Sequence, residues 1–233
     1  RYSLEGVPAV LPEGYSEVHY EYDAYDREIK RSYHIADGTL SRTLSEGYPV
    51  CCTEYDPKGN VAVERFFTPD SCAALVKTYS YDGRGNVIME AYSDASGKPV
   101  LNKEGYYMVQ YAYDENDRVV ETEYLSSENG AAEGGVFRIN NRFDRKGDLL
   151  EISYSDADST FVLHPETSVA RIRYEYNERN RLVSASCFGT DMRPTCYRDD
   201  RFVRKTIEYD DNNLAVRESF YDAQDSLVVS QAA

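Results

Sequence analysis

Short runs of strict alternation recur along the chain. Val109, Tyr111 and Tyr113 fall on one side of an extended segment, with Gln110, Ala112 and Asp114 on the other. Ile172, Tyr174 and Tyr176 repeat the arrangement, with Arg173 and Glu175 between them. A period of two over five or more residues predicts a half-buried strand, and no helix-period stretch of useful length competes with it. Each run ends in a turn-forming string: DPKGN at 56–60, DGRGN at 82–86, then DENDR, DRKGD, NERNR and DDNNL. A leading Asp or Asn can bond its own backbone two residues on, a later Gly, Asn or Asp accepts positive φ, and Pro57 suits the second turn position. These strings predict hairpins.

The hairpins form a tandem array. Taking the aromatic before each turn as an anchor gives Tyr22, Tyr55, Tyr81, Tyr113, Phe143, Tyr176 and Tyr209, spaced by 33, 26, 32, 30, 33 and 33. Asp or Asn follows every anchor, and eleven residues later stand Tyr33, Phe66, Tyr92, Tyr124, Tyr154, Cys187 and Phe220. Such self-similarity identifies repeats of one supersecondary unit. With a four-residue loop, the anchor would face the residue seven later, which is Ile88, Val120, Leu150, Val183 or Val216 in five copies. Cross-strand pairs of this kind contribute roughly 0.2 to 1 kcal/mol each. A second turn, clearest at 93–100, and a short third strand ending near Gly105 complete the unit, giving three strands per copy.

The expected fold is therefore all-β: an elongated or spiralling antiparallel β-meander of about seven tandem hairpin repeats of roughly 32 residues, forming one domain over 1–233. Copies start near residues 20, 53, 79, 111, 141, 174 and 207. The stretch 5–15, whose Gly6 and Gly14 are spaced like Gly97 and Gly105, reads as the tail of an earlier copy. The last copy runs to about Val229, so both ends read as partial repeats. A one-sided apolar ribbon must be covered by curling into a spiral or folding into two layers, with stability drawn from neighbouring repeats.

Composition narrows the partners. The chain has 22 Tyr, no Trp, 3 Met and 3 His, and its apolar content is biased to a residue that suits pleated, half-wet surfaces. A net charge of −15 repels phosphate backbones and anionic headgroups, which argues against nucleic acid and membrane surfaces. No run approaches the ~20 apolar residues of a membrane helix. The start at Arg1, without Met or a signal-like segment, reads as a portion of something longer.

Candidate chemistry is sparse. Asp156 with Asp158, and Asp210 with Asp211 and Asn212, are the densest oxygen clusters and could bind calcium; turn capping accounts for the same residues, and no metal or cofactor is expected. Most tyrosines lie on the face that must be buried. Tyr15, Tyr48, Tyr106, Tyr107 and Tyr197, beside loops between repeats, are the better candidates for a glycan or protein ligand, and 98–107 is the stretch least demanded by simple hairpins. Five cysteines form no CxxC or Cys/His cluster. Cys187 and Cys196 lie symmetrically about the second turn of their copy, where they could form a disulfide or pack as thiols. Cys51 is expected in the core, Cys52 and Cys72 nearer solvent. His19 and His34 fall on the polar side of strands, His164 precedes Pro165, and no Ser or Cys sits in a recognisable nucleophile motif, so no catalytic residue is assigned.

The YxYDxxGN segment at 79–86, with weaker forms at 111–118 and 174–181, resembles the YD repeats of Rhs-type bacterial proteins. The period of about 32 departs from the shorter spacing usual there because of the inserted GKPVLNKEGY element, and the longer unit is similar to repeats in surface and secreted proteins of gut Firmicutes. The resemblance implies a bacterial, extracellular or cell-surface β-protein with no catalytic residues to carry over. The expected function is a noncatalytic exported repeat protein acting as a binding surface or spacer at the cell envelope. The alternative is a structural shell segment of a larger Rhs/YD-repeat toxin-type protein.

Overall fold

A computed structural model describes residues 11–12, 14–43, 47–126, 138–197 and 202–228. All regular structure among them is β. The chain divides into two compact units, Arg1–Lys103 and Glu104–Ala233. The first holds β1 (Glu17–Tyr22), β2 (Glu28–His34), β3 (Val50–Tyr55), β4 (Val61–Phe67), β5 (Ala73–Tyr81) and β6 (Val87–Ser93). The second holds β7 (Met108–Tyr113), β8 (Val119–Leu125), β9 (Arg138–Phe143), β10 (Leu149–Ser155), β11 (Arg171–Tyr176), β12 (Leu182–Phe188), β13 (Arg204–Tyr209) and β14 (Ala215–Tyr221). Within each unit every strand pairs antiparallel with the next in the chain, a meander as the alternation predicts.

The first turn of each copy is built the same way. In the first, Asp23 N–H bonds Arg27 O at 2.9 Å and Asp26 N–H bonds Asp23 O at 3.2 Å, leaving a three-residue loop. The residue four after the anchor is left-handed in every copy: Asp26, Gly59, Gly85, Asp117, Gly147, Asn180 and Asn213. Gly carries no Cβ penalty there, and Asp or Asn tolerates the conformation. The turn Asp supplies the second lock. Asp56 Oδ1 accepts from Lys58 N–H and Asn60 N–H, both at 2.8 Å.

The pairing opposite the anchor differs from expectation by one residue. Tyr55 pairs with Val61 and Tyr81 with Val87, the sixth residue after the anchor, and the register then shifts because the seventh is an extra residue in a β-bulge. The same shift occurs at every hairpin. Ile88 and Val216 are accordingly exposed instead of facing the anchor. A bulge restores the alternation that the three-residue loop would otherwise put out of phase. Beyond it, the residue eleven after the anchor meets the one four before it, as in Val109↔Tyr124 and Ile172↔Cys187.

The predicted third strand shrinks to a single bridge in five copies: His34↔Leu40, Ser93↔Pro99, Ser155↔Phe161, Phe188↔Pro194 and Tyr221↔Leu227. The second turn again places a left-handed residue at its end, whether Gly38, Ser71, Gly97, Ser159, Met192 or Asp225. A loop then leads into the next strand, and the residue eight before an anchor is again left-handed: Gly14, Gly47, Gly105 and Ser168. Between Tyr55 and Tyr81, where the spacing is 26, this loop is missing and the second turn leads straight into β5, with Phe67 paired to Ala73. The reading of 5–15 as an earlier copy rests on Gly6, which, like Val229, lies outside the described residues.

The core sits at the loop end of the hairpins. Tyr33, Cys51, Val109, Tyr154, Val169, Ala170, Ile172, Cys187 and Val203 are buried, and all lie four to seven residues before an anchor or eleven after one. Tyr154, Val169, Ile172 and Cys187 form one cluster, against which Tyr174 and Tyr197 pack. Cys51 is buried, Cys52 half-buried and Cys72 exposed, in line with the alternation.

Candidate functional site

Four loop aromatics share one position, seven before an anchor, and each meets the aromatic eleven after the same anchor. Tyr15 lies 4.9 Å from Tyr33, Tyr48 5.6 Å from Phe66, Tyr106 5.0 Å from Tyr124, and Phe202 4.9 Å from Phe220, centroid to centroid. Tilted and edge-on pairs at these distances add roughly 0.5–1.5 kcal/mol to burial. Of the candidate ligand residues, Tyr15, Tyr48 and Tyr106 thus close the loop over the sheet and are half-buried. Tyr107, also half-buried, opens β7 with its N–H on Leu125 O at 2.8 Å. Tyr197 covers the Tyr154 cluster. Tyr15 and Tyr48 belong to the first unit, the others to the second.

Cys187 and Cys196 are free thiols. Burial, with Cys196 beside it, pushes the Cys187 thiol up to about 11. Thr195 N–H bonds Cys187 O at 3.0 Å, so the bridge that was predicted as a strand brings this hairpin together without a covalent link. Asp156 Oδ1 accepts from Asp158 N–H and Thr160 N–H at 3.0 and 2.9 Å, and Asp210 Oδ1 from Leu214 N–H at 2.8 Å, so these carboxylates cap turns. Among the described residues no three His, Cys, Asp or Glu side chains are grouped to hold a metal ion.

The most regular chemistry is a tie between copies that the sequence reading missed. The anchor hydroxyl donates to the carbonyl of the residue paired with the preceding copy's anchor, just before the bulge: Tyr55 to Glu28 O at 2.8 Å, Tyr81 to Val61 O at 2.7 Å, Tyr176 to Leu149 O at 3.0 Å and Tyr209 to Leu182 O at 2.9 Å. Phe143 has no hydroxyl, and there Asn141 Nδ2 donates to Val119 O at 3.2 Å instead. The one Phe among the anchors and the Asn two residues before it were the available signal. Basic residues five after an anchor reinforce the tie: Arg27 lies 4.5 Å from the centre of the Tyr55 ring and Arg118 4.8 Å from that of Phe143.

Two polar groupings stand apart from this pattern. On β4, β5 and β6, Tyr79 donates to Glu64 and Lys77 Nζ lies 2.7 Å from Glu90. Lys77 occupies a position that is apolar in most copies, such as Val109 and Ile172, though Lys205 shares it and pairs with Glu218 in the same way at 2.8 Å, and Lys77 also lies 4.7 Å from the centre of the Tyr79 ring. Burial opposes the ammonium charge, but the bonds to Glu90 and Tyr79 outweigh it and hold Lys77 above the usual lysine range. Burial and Glu64 together raise the Tyr79 phenol, keeping it protonated. The quartet is an internally satisfied ion-pair patch within the sheet.

The second is a groove of about 390 Å³ lined in part by Lys30, Ser32, His34, Cys52 and Phe67. Ser32 Oγ lies 2.9 Å from His34 Nε2, and His34 Nδ1 lies 3.0 Å from Gly38 O. The carbonyl holds the ring so that Nε2 accepts from Ser32. Ser32 is buried and lies between two ladder partners, His19 and Val50.

No protein-family model matches the chain, and no curated protein matches it. Solved structures do. The TcdB2-TccC3 crystal structure aligns over 93% of this chain with 12% identity and a TM-score of 0.43. Its complex with Cdc42 aligns over 88% with 13% identity and a TM-score of 0.36. A Photorhabdus luminescens Tc holotoxin pore aligns over 88% with 12% identity and a TM-score of 0.34. The chain spans only 12–13% of the length of these chains. Among the described residues no helix is long and apolar enough to cross a membrane.

Proposed function

We propose that this chain is a noncatalytic structural segment: a wall of β-hairpins within a larger exported bacterial protein of the Rhs/YD-repeat toxin type. The observation that carries this reading is the hydroxyl-to-carbonyl tie, made at Tyr55, Tyr81, Tyr176 and Tyr209 and replaced by Asn141 at the one Phe anchor. The recurring aromatic chemistry is spent on joining one copy to the next. The loop aromatics, which a binding module would present to a ligand, are spent on closing each copy over its own sheet.

The test uses the full-length protein that contains this segment. Limited proteolysis should leave an adjoining domain protected while the array is intact and expose it when Tyr55, Tyr81, Tyr176 and Tyr209 are changed together to Phe. An adjoining domain that is cleaved equally in both proteins overturns the wall reading. Binding to soluble sugars or cell-wall fragments on an array, lost in Tyr106→Ala and Tyr107→Ala, would replace it with a binding module at the cell envelope.

A further inference from the structure

At four joints between copies, the residue five before an anchor lies opposite the residue ten after the preceding one: Val50↔Ser32, Arg138↔Glu123, Arg171↔Ser153 and Arg204↔Ser186. In the second unit that residue is arginine at all three, and each reaches across its joint. Arg204 lies 4.1 Å from the centre of the Tyr221 ring and pairs with Asp225. Arg171 lies 4.5 Å from the centre of the Phe161 ring and 3.4 Å from Glu151. Arg138 donates to Glu123 and, at 3.0 Å, to Ser159 Oγ. Beside Arg204 only about 140 Å³ stays open, lined in part by Ser186, Pro194 and Asp225.

The joint between β2 and β3 carries Val50 instead, and the groove of about 390 Å³ lies there. Its walls keep what the arginines stack on or bond to. Phe67 takes the place of Tyr221, Leu40 that of Phe161 and Ser71 that of Ser159. The acids are gone. Lys30 stands where the β10–β11 joint has Glu151, Ser32 where the β8–β9 joint has Glu123, and Ser71 where the last copy has Asp225. Among the described residues that line the groove, none is acidic. Burial raises the Cys52 thiol, so it stays neutral. The positive charge has thus moved from the arginine position to Lys30 on the facing strand.

A guanidinium guest would meet Lys30 and find no carboxylate. A planar group of the opposite charge suits the same walls. Lys30 Nζ lies 2.6 Å from Glu21 in a pair whose side chains are 40% and 60% exposed, and an ammonium has three donors, so it can serve a second carboxylate. The Ser71 hydroxyl is a further donor, while Leu40, Val50 and Phe67 form an apolar slot for a ring. The chain's net charge of −15 opposes anions at long range, but salt screens that repulsion more than the contact with Lys30.

We propose that the groove between β2 and β3 binds a small aromatic carboxylate, its ring against Leu40, Val50 and Phe67 and its carboxylate on Lys30. The inference rests on this joint alone and does not depend on the wall reading.

Titration of the chain with benzoate, followed by amide NMR shifts in physiological salt, tests it. Benzoate should give saturable shifts at Val50, Phe67 and Ser71, benzamide weaker ones, and acetate and benzamidine none. Lys30→Gln should weaken benzoate roughly tenfold, to the level of benzamide, which is the size of one charge-assisted hydrogen bond at a partly exposed site. Val50→Arg supplies from within the arginine of the other joints and should abolish the shifts. Absence of benzoate shifts in the wild-type chain overturns the proposal, as does benzamidine binding as tightly as benzoate. Unchanged benzoate affinity in folded Lys30→Gln overturns the role of Lys30. The ligand series on the wild-type chain decides the charge preference even where a variant fails to fold.

Discussion

Each turn places its demands on two residues: the Asp that begins it and the left-handed residue three positions later. Asp56 is typical. The side-chain hydrogen bond from Asn60 is the largest influence holding its carboxyl below the usual range, with burial opposing and the amides of Asn60, Lys58 and Gly59 assisting. A lowered folded value means that the stabilisation is present above the ordinary carboxylate range and is lost as pH falls through it. Asn177 shows that charge is not required for the capping bonds, since its Oδ1 accepts from Arg179 and Arg181 N–H at 3.0 and 2.9 Å. Asp56→Ala should therefore lower the urea midpoint at neutral pH, since it removes the acceptor of the Lys58 and Asn60 amides. Asp56→Asn should retain most of that stability and flatten its loss between neutral and acidic pH. These residues were legible in the sequence because a turn is a local object: the side chain that locks it lies within four positions of the backbone it locks.

At the scale of the hairpin, the alternation correctly placed every pair of strands, yet the residue facing the anchor was off by one. The three-residue loop shifts the phase, and the bulge at Ile88 and its equivalents shifts it back, so the distant pairs Val109↔Tyr124 and Ile172↔Cys187 came out as expected while the near ones did not. A bulge inserts no characteristic residue, so periodicity alone does not reveal it. It has a consequence that mutation can read. The carbonyl of Val119, the residue just before the bulge, is satisfied by Asn141 because Phe143 has no hydroxyl. Asn141→Val should destabilise the second unit by about 1 kcal/mol, since it leaves a part-buried acceptor without its donor. Adding Phe143→Tyr to that variant should recover most of the loss in a double-mutant cycle; additive effects of the two changes would show that the tie does not pass through this carbonyl.

At the scale of the whole molecule, the thin core concentrates stability at the loop ends, and its titration is visible in base. Burial holds the Cys187 thiol at about 11 against an ordinary value of 9.0, and the Tyr174 phenol at about 12 against 10.0. Both neutral forms are favoured in the fold, so stability is fully present below pH 9 and declines as pH rises toward the folded values. Two units at Cys187 correspond to roughly 2–3 kcal/mol. Denaturant unfolding from pH 8 to 11 should show that decline, with a shallower slope in Cys187→Val; identical slopes would remove Cys187 from the account. The repeat period, the strands and the turns followed from the chain alone, because each is set by contacts within one copy. Only the tertiary structure decided what joins one copy to the next: the tyrosine-to-carbonyl ties and the loop aromatics folded onto their own sheet. Those depend on which backbone groups the bulge leaves facing outward, and that is settled by the pairing of strands whose partners lie some 27 residues apart.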